Sequence, residues 1–270
     1  MSIEPMDLYA PERRQDAKLL VEGLSKTFGG GSDAVQALAP TDLAVGLGDF
    51  LCVVGPSGCG KTTLLNLLAG FEAPSSGRME LDGKPILRPG AERGVVFQQG
   101  ALFNWLSVLE NVAFGPRACG VPAAEARTRA QSMLEMVGLG AFAKKYPYQL
   151  SGGMQQRANL CRALIHDPAL LMLDEPFGAL DAFTREDLWQ GMRDLHAEKG
   201  FTVILVTHDL REAVFLADRV FVMSARPGRI IVDQEVGFAR PRPIDLTYEA
   251  EFNDIVHELR GHIAEARAAA

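Results

Sequence analysis

Three short stretches gather groups suited to handling phosphate. Residues 55 to 63 read "GPSGCGKTT" and directly follow the apolar run "FLCVV". Gly55, Gly58 and Gly60 permit tight backbone conformations that turn successive N–H groups toward an anion. A helix beginning at Lys61 would add its partial positive charge. Pro56, Ser57, Cys59 and Thr63 complete the loop, the Lys61 side chain is long enough for β- and γ-phosphates, and Thr62 offers a hydroxyl to Mg²⁺. The pattern G-x-x-x-x-G-K-[ST] is met at every fixed position. A chance glycine loop is the alternative, and the strand before and helix after argue against it. Next, "LLMLDE" (170–175) is an apolar strand closing on two acids. Carboxylates at a buried strand end are costly unless they meet a cation. Asp174 is suited to hold Mg²⁺ through water, and Glu175 to take a proton from an attacking water. Finally, "LSGGMQQR" (150–157) places Ser151, Gly152 and Gly153 before a helix, which by itself reads as a cap.

These groups need elements to hold them. "KLLVEGLSKTF" and "VQALAPTDLAV" read as two strands joined by "GGGSD", and "DFLCVV" as a buried parallel strand. Lys61 to Ala69 reads as a helix, "GRMELDG" and "GVVFQ" as strands. From about 99 to 166 the chain turns helical. "PAAEARTRAQSMLEMVGL" opens with Pro122 at a first-turn position and carries Met133, Leu134 and Val137 on its apolar side; "GGMQQRANLCRALIHD" turns Leu160, Leu164 and Ile165 inward. Strands return in "ALLMLDE", "TVILVTH" and "RVFVM", with a helix showing Leu188, Met192 and Leu195 between the first two. The last segment puts Phe252, Ile255, Val256, Leu259 and Ile263 on one helical stripe. The alternation predicts an α/β fold, a parallel sheet with helices on both faces and an inserted helical subdomain. The expected divisions are a leader at 1–17, an ATPase domain at 18–250 with its helical part at about 99–166, and a C-terminal helix at 251–270.

Bulk properties narrow the class. The chain has 270 residues, 47% hydrophobic and 23% charged, with a net charge of −7. That is ordinary globular composition, and its acidity argues against bulk nucleic-acid or anionic-membrane binding. The four cysteines, Cys52, Cys59, Cys119 and Cys161, form no C-x-x-C pair and read as buried thiols in a reducing compartment. No apolar run approaches the ~20 residues needed to span a bilayer, and the first residues have no secretion-signal core. The expected location is cytosolic, or peripheral through a protein partner.

In order along the chain, the phosphate loop, "LSGG", "LMLDEP", "GALD" (178–181) and "VTHD" (206–209) resemble the motifs of ABC ATPases, with Gln98 ending "GVVFQ" as the switch glutamine. The resemblance runs from about Lys18 to Ala250 and implies a P-loop NTPase (RecA-like) core with an antiparallel β part and an inserted helical subdomain. It implies a head-to-tail homodimer in which Ser151, Gly152 and Gly153 of one copy contact the γ-phosphate of ATP bound at Lys61 of the other. It implies that Gln98 senses Mg²⁺ and the attacking water, that His208 contacts the γ-phosphate, and that Asp181 lies in a turn touching the partner subunit. Phe28 matches the place where an aromatic ring stacks on adenine; core burial is the alternative. Position 154 is methionine where the family commonly has glutamine. "GPSGCGKTTLLNLLAGF", "GAERGVVFQ", "LFNWLSVLENVAFG", "LDEPFGALDAFTRE", "HDLREAVFLADRV" and "PGRI" are similar to importer ATPases for nitrate, sulfonates and taurine, the first two especially to the taurine branch. That implies an integral-membrane permease, a periplasmic solute-binding protein, and a place on the cytoplasmic face of the membrane. Phe103, Trp105 and Leu106 are expected to receive a permease helix in an apolar groove, with core burial as the alternative.

Overall fold

The computed structural model describes residues 17–98, 102–178 and 180–268. The chain divides into two units, Met1–Gly90 with Gly200–Ala270, and Ala91–Lys199. The helices expected between 99 and 166 fall in the second unit, which has wider bounds. Residues 99–101 and the expected leader lie outside the described residues, apart from Ala17.

The first unit runs β1 (Ala17–Phe28), β2 (Val35–Gly46), β3 (Phe50–Val54), α1 (Lys61–Ala69), β4 (Ser76–Leu81) and β5 (Lys84–Pro85). The second follows with β6 (Arg93–Val96), α2 (Val108–Ala118), α3 (Ala123–Met136), α4 (Gly152–Leu164), β7 (Leu170–Asp174) and α5 (Ala182–Lys199). The chain then returns to the first unit through β8 (Thr202–Val206), α6 (Leu210–Leu216), β9 (Arg219–Met223), β10 (Ile230–Glu235) and α7 (Ala250–Ala268).

In the first unit, β2-β1-β4-β5 make an antiparallel sheet. Leu19 pairs with Leu81 and Val21 with Met79, so apolar side chains share one face. A second layer has β3 parallel to both β8 and β9, with β10 antiparallel on β9. β3, β8 and β9 are buried at all five of their positions, which explains the apolar runs at 50–54, 203–206 and 220–223. Arg219 in β9 reaches the Ala44 carbonyl of β2 at 2.9 Å while pairing with Asp233 of β10.

In the second unit, β6 and β7 are parallel, Arg93 opposite Leu170 through Val96 opposite Leu173. The helices enclose an apolar cluster around Val108, Val112, Ala126, Leu134, Ala158 and Cys161. Burial pushes the Cys161 thiol up to about 12.

Several expectations change. The strand expected over 94–98 ends at Val96, leaving Gln98 in the following loop. Pro122 is the N-cap of α3 rather than a first-turn residue. The inner face of α3 is Ala126, Ala130 and Leu134; Met133 and Val137 pack only partly against the cluster. On α5, Trp189 and His196 join Leu188 and Met192 inside while Leu195 is half-buried, a stripe turned by one position. Cys119, at the C-cap of α2, is exposed, whereas the other three thiols are buried. Helix α2 and strand β10 were not anticipated. The former has a legible start: the Ser107 hydroxyl accepts from the Glu110 N–H at 3.2 Å.

A buried arginine closes the first unit. Arg242 is 1% exposed, and its guanidinium donates to the carbonyls of Val214, Phe215, Ala217, Val236 and Phe238. It thereby caps the end of α6 and pins the irregular segment that follows β10. Burial first, then nearby Arg240, lowers its pKa to about 10. Arg240 reinforces the same corner through Asp218, whose other oxygen accepts from the Phe50 N–H at 2.8 Å. Replacing Arg242 with Met keeps the stem but leaves these carbonyls without their donor. We expect a loss of about 2–4 kcal/mol of unfolding free energy in urea titration; an unchanged midpoint and slope would remove Arg242 from this role.

Candidate functional site

The phosphate loop bridges β3 and α1. Gly58 and Gly60 have φ of 76° and 109°, left-handed values that a side chain would strain. A Cβ on Gly60 would also lie 2.7 Å from the Ala37 carbonyl oxygen. The Gly60 cap of α1 supplies no side-chain acceptor to the first turn. Such a helix start suits an anion. Lys61 is 8% exposed, and its ammonium donates to the carbonyls of Gly55 at 2.9 Å and Pro56 at 3.0 Å. Gly55, Pro56 and Cys59 are buried, Ser57, Gly58 and Thr62 are exposed, and Thr63 is half-buried. The lysine is thus held on the loop's own carbonyls, within its side chain's reach of the loop mouth.

His208 follows β8 and is exposed. Its neighbours fix its backbone. Thr207 donates its N–H to the Val53 carbonyl, and its hydroxyl donates to Glu212 Oε2 at 2.9 Å while accepting from the Asp209 N–H. Asp209 caps α6 by accepting from Arg211 and Glu212. Phe28, at the end of β1, is 40% exposed with the Lys26 ammonium 4.9 Å from its ring centroid, so the core alternative falls.

In the second unit, Asp174 ends β7 and is 7% exposed. Glu175 follows with φ of 45°, an uncommon conformation for a residue with a side chain, and it sits where the chemistry is expected. Gln98 Nε2 donates to Glu175 Oε2 at 3.0 Å, bringing together two residues 77 positions apart. Ser151 caps α4, its hydroxyl accepting from the Met154 N–H at 3.3 Å. A Cβ on Gly153 would lie 2.4 Å from Thr184 Cγ2, and one on Gly152 would lie 3.3 Å from Leu180 Cδ2. The start of α4 therefore rests on the turn that carries Asp181. Asp181 Oδ1 accepts from the Thr184 N–H at 3.0 Å and caps α5. That backbone donation, then the Thr184 side chain, holds its carboxyl below the usual range. With a depressed folded-state pKa, the cap is fully present above the ordinary aspartate pKa and fades as pH falls through the lowered value.

Met154 packs partly against the apolar cluster, so its thioether serves the interior of this unit. Gln155 instead turns its amide to the carbonyls of Pro147 and Leu150. Ahead of α2, Asn111 is fully buried and organises the 103–107 loop: it accepts from the Phe103 N–H and donates to Phe103, Leu106 and Ser107 carbonyls. Phe103 stacks on Trp105 at 5.2 Å and meets Phe114 edge-on at 5.0 Å. Trp105 is 75% exposed, whereas Phe103 and Leu106 are half-buried. Asn111 escaped the sequence reading because a lone asparagine has no motif; its value lies in four contacts made only after folding.

The fold and these residues define a P-loop ATPase. The chain belongs to the ABC transporter family, whose model it matches over residues 38–178, and it is an ATP-hydrolysing transport component. It is 49% identical to a taurine import ATP-binding protein of Roseobacter denitrificans, over 83% of this chain and 81% of that one. It is 48% identical to an uncharacterized ABC transporter ATP-binding protein of Methanocaldococcus jannaschii, over 89% and 90%. Among solved structures it is similar to an ATP-binding cassette captured as a dimer in a post-hydrolysis state with ADP and Pi, with TM-score 0.72, 32% identity, and 82% of this chain and 100% of that one covered. It is also similar to a Clostridium perfringens protein that is part of an ABC transporter complex, with TM-score 0.74, 28% identity, and 91% and 99% covered.

The contact between Gly153 and Thr184 is testable by a mutant cycle. Gly153→Ala should cost about 1–3 kcal/mol by overpacking, and Thr184→Ser, which deletes the opposing methyl, should restore much of it in the double variant. Purely additive urea midpoints would show that the two positions do not touch.

Proposed function

We propose that two copies of this chain clasp MgATP between them and hydrolyse it to power a separate integral-membrane permease importing taurine or a related sulfonate. The observation that carries the hydrolytic part is Glu175, held in a left-handed backbone conformation at the end of β7 with Gln98 on its carboxylate. Taurine import by the Roseobacter relative supports the choice of solute, and the dimeric state of the similar cassette supports the clasp.

In this reading Lys61 leaves the Gly55 and Pro56 carbonyls for the β- and γ-phosphates, and the open N-terminus of α1 faces the same anion. The Asp174 carboxylate, the Thr62 hydroxyl and the Gln98 amide oxygen would each offer Mg²⁺ an oxygen, the hard donor type that suits it. When bound, that ion would neutralise charge building on the phosphoryl oxygens. Gln98 orients the attacking water, Glu175 accepts its proton, and His208 touches the γ-phosphate. Ser151, Gly152 and Gly153, lent by the second copy, direct the start of α4 at that phosphate, and Asp181 lies in the turn at the dimer interface. Phe28 offers an exposed ring for adenine.

The 103–107 loop and Phe114 suit a permease helix: an aromatic, partly exposed surface held by a buried asparagine. Among the described residues no helix is long and apolar enough to cross a membrane, which is compatible with a peripheral subunit on the cytoplasmic face. Solute choice would then rest with the permease and a periplasmic binding protein.

Glu175→Gln should retain MgATP, lower turnover by at least about 10²-fold, and accumulate a nucleotide-bound dimer in size-exclusion chromatography. Wild-type turnover would remove Glu175 from the mechanism. For the solute, the chain reconstituted in vesicles with its permease and binding protein should take up labelled taurine only with ATP. Uptake of nitrate but not taurine or alkanesulfonates would overturn the assignment, as would recovery of nucleic acid or ribosomes in place of a permease on affinity purification.

A further inference from the structure

The turn between β9 and β10, residues 224–229, overlaps the "PGRI" stretch but has been given no chemical role, and it lies directly behind the phosphate loop. Gly228 donates its N–H to the Ala37 carbonyl at 3.0 Å and accepts from the Ala39 N–H at 2.8 Å, bridging to β2. A Cβ on Gly228 would fall 2.0 Å from the Cys59 carbonyl oxygen, so the turn and the loop touch backbone to backbone. A Cβ on Gly55 would lie 3.0 Å from the Met223 carbonyl oxygen, where the same turn begins. Ser224 shapes the turn internally: its hydroxyl accepts from the Arg229 N–H at 3.0 Å and lies within reach of the Ala225 and Pro227 carbonyls. At the tip, Arg226 Nε donates to the Gly58 carbonyl at 3.3 Å.

We propose that Arg226 is a positioning residue for nucleotide: it holds the tip of the phosphate loop by the Gly58 carbonyl, while the Cys59 N–H of the same peptide donates to the Pro56 carbonyl at 3.3 Å, so that the loop's shape is set before MgATP arrives. The proposal rests on the reading that this loop takes the nucleotide's phosphates. Two cations now sit on the loop's carbonyls, Lys61 at Gly55 and Pro56 and Arg226 at Gly58. Lys61 must release its carbonyls to reach phosphate. Arg226 is anchored on a separate turn and has no such duty, so it keeps the Gly58–Cys59 peptide plane in place throughout. Gly58 is the point that needs it, since its left-handed backbone is a high-entropy glycine conformation in an exposed stretch. Fixing that peptide beforehand lowers the ordering cost of binding.

The test compares Arg226→Ala, Arg226→Gln and Arg226→Lys with the wild-type protein. It measures equilibrium MgATP affinity, the KM and kcat of hydrolysis, and melting without nucleotide. Arg226 is exposed, so its replacement should leave nucleotide-free melting unchanged. Arg226→Ala should raise the dissociation constant and KM about three- to tenfold, the scale of one charge-assisted hydrogen bond partly open to water, with kcat within about twofold. Lys and Gln, which keep a donor, should recover part of the loss. Wild-type affinity in Arg226→Ala overturns the proposal while leaving the loop's assignment intact. A fall in kcat with unchanged affinity, or a lowered nucleotide-free melting temperature that accounts for the loss, overturns it too. Wild-type protein that fails to bind MgATP would bring down the loop's assignment and the proposal together.

Discussion

A loop that aims its N–H groups at an anion must turn its carbonyls the other way, and those carbonyls need partners. That constraint organises the first unit. Gly55 and Pro56 are served by Lys61, Gly58 by Arg226, while Cys59 is backed against Gly228. Ala37 on β2 takes part twice, accepting from Gly228 and setting the closeness of Gly60. The antiparallel sheet is therefore more than an added layer: one of its strands supplies the wall against which the loop is folded. Fully buried β3 and β9 hold the two ends of this arrangement in parallel register.

The second unit meets a related demand, the placing of charged and strained groups at the ends of rigid elements. β7 is buried throughout and delivers Asp174 and Glu175 at its carboxyl end. Glu175's left-handed conformation costs free energy, and a buried strand before it together with the Phe177–Leu180 turn after it can offset that cost. The same turn continues to Asp181, whose cap on α5 brings Thr184 against Gly153. Leu180 and Thr184, on either side of that cap, thus lie against the helix start proposed to meet phosphate. A change at Glu175 has a covalently short path to the start of α4.

Polar residues buried singly do much of the remaining work. Asn111 orders a loop of aromatic side chains, Glu212 and Thr207 set the backbone around His208, and Arg242 ties α6 to the segment that follows β10. Asn111 and Arg242 each satisfy several backbone groups at once, which is how a buried polar side chain repays its desolvation. Met154 is the opposite case: a position where the family commonly has glutamine is given over here to packing.

By itself the sequence determined the family, the glycine loop between β3 and α1, the two acids at the end of β7 and the bounds of α1, because each is written in local order: fixed spacings, glycines and apolar runs. It marked Ser107 and Glu110 as a helix start too, though α2 was not read from them. The tertiary structure alone decided what depends on residues distant in the chain. The meeting of Gln98 with Glu175, the exposure of Phe28 and Trp105, the inner face of α5, and the brace of residues 224–229 behind the loop are of this kind. So is β10, whose half-buried "IIVDQE" lacks the apolar run of a central strand and forms because β9 offers it an edge. Helix phase and strand pairing are settled by which neighbour a face meets, and a linear pattern specifies the face without naming the neighbour.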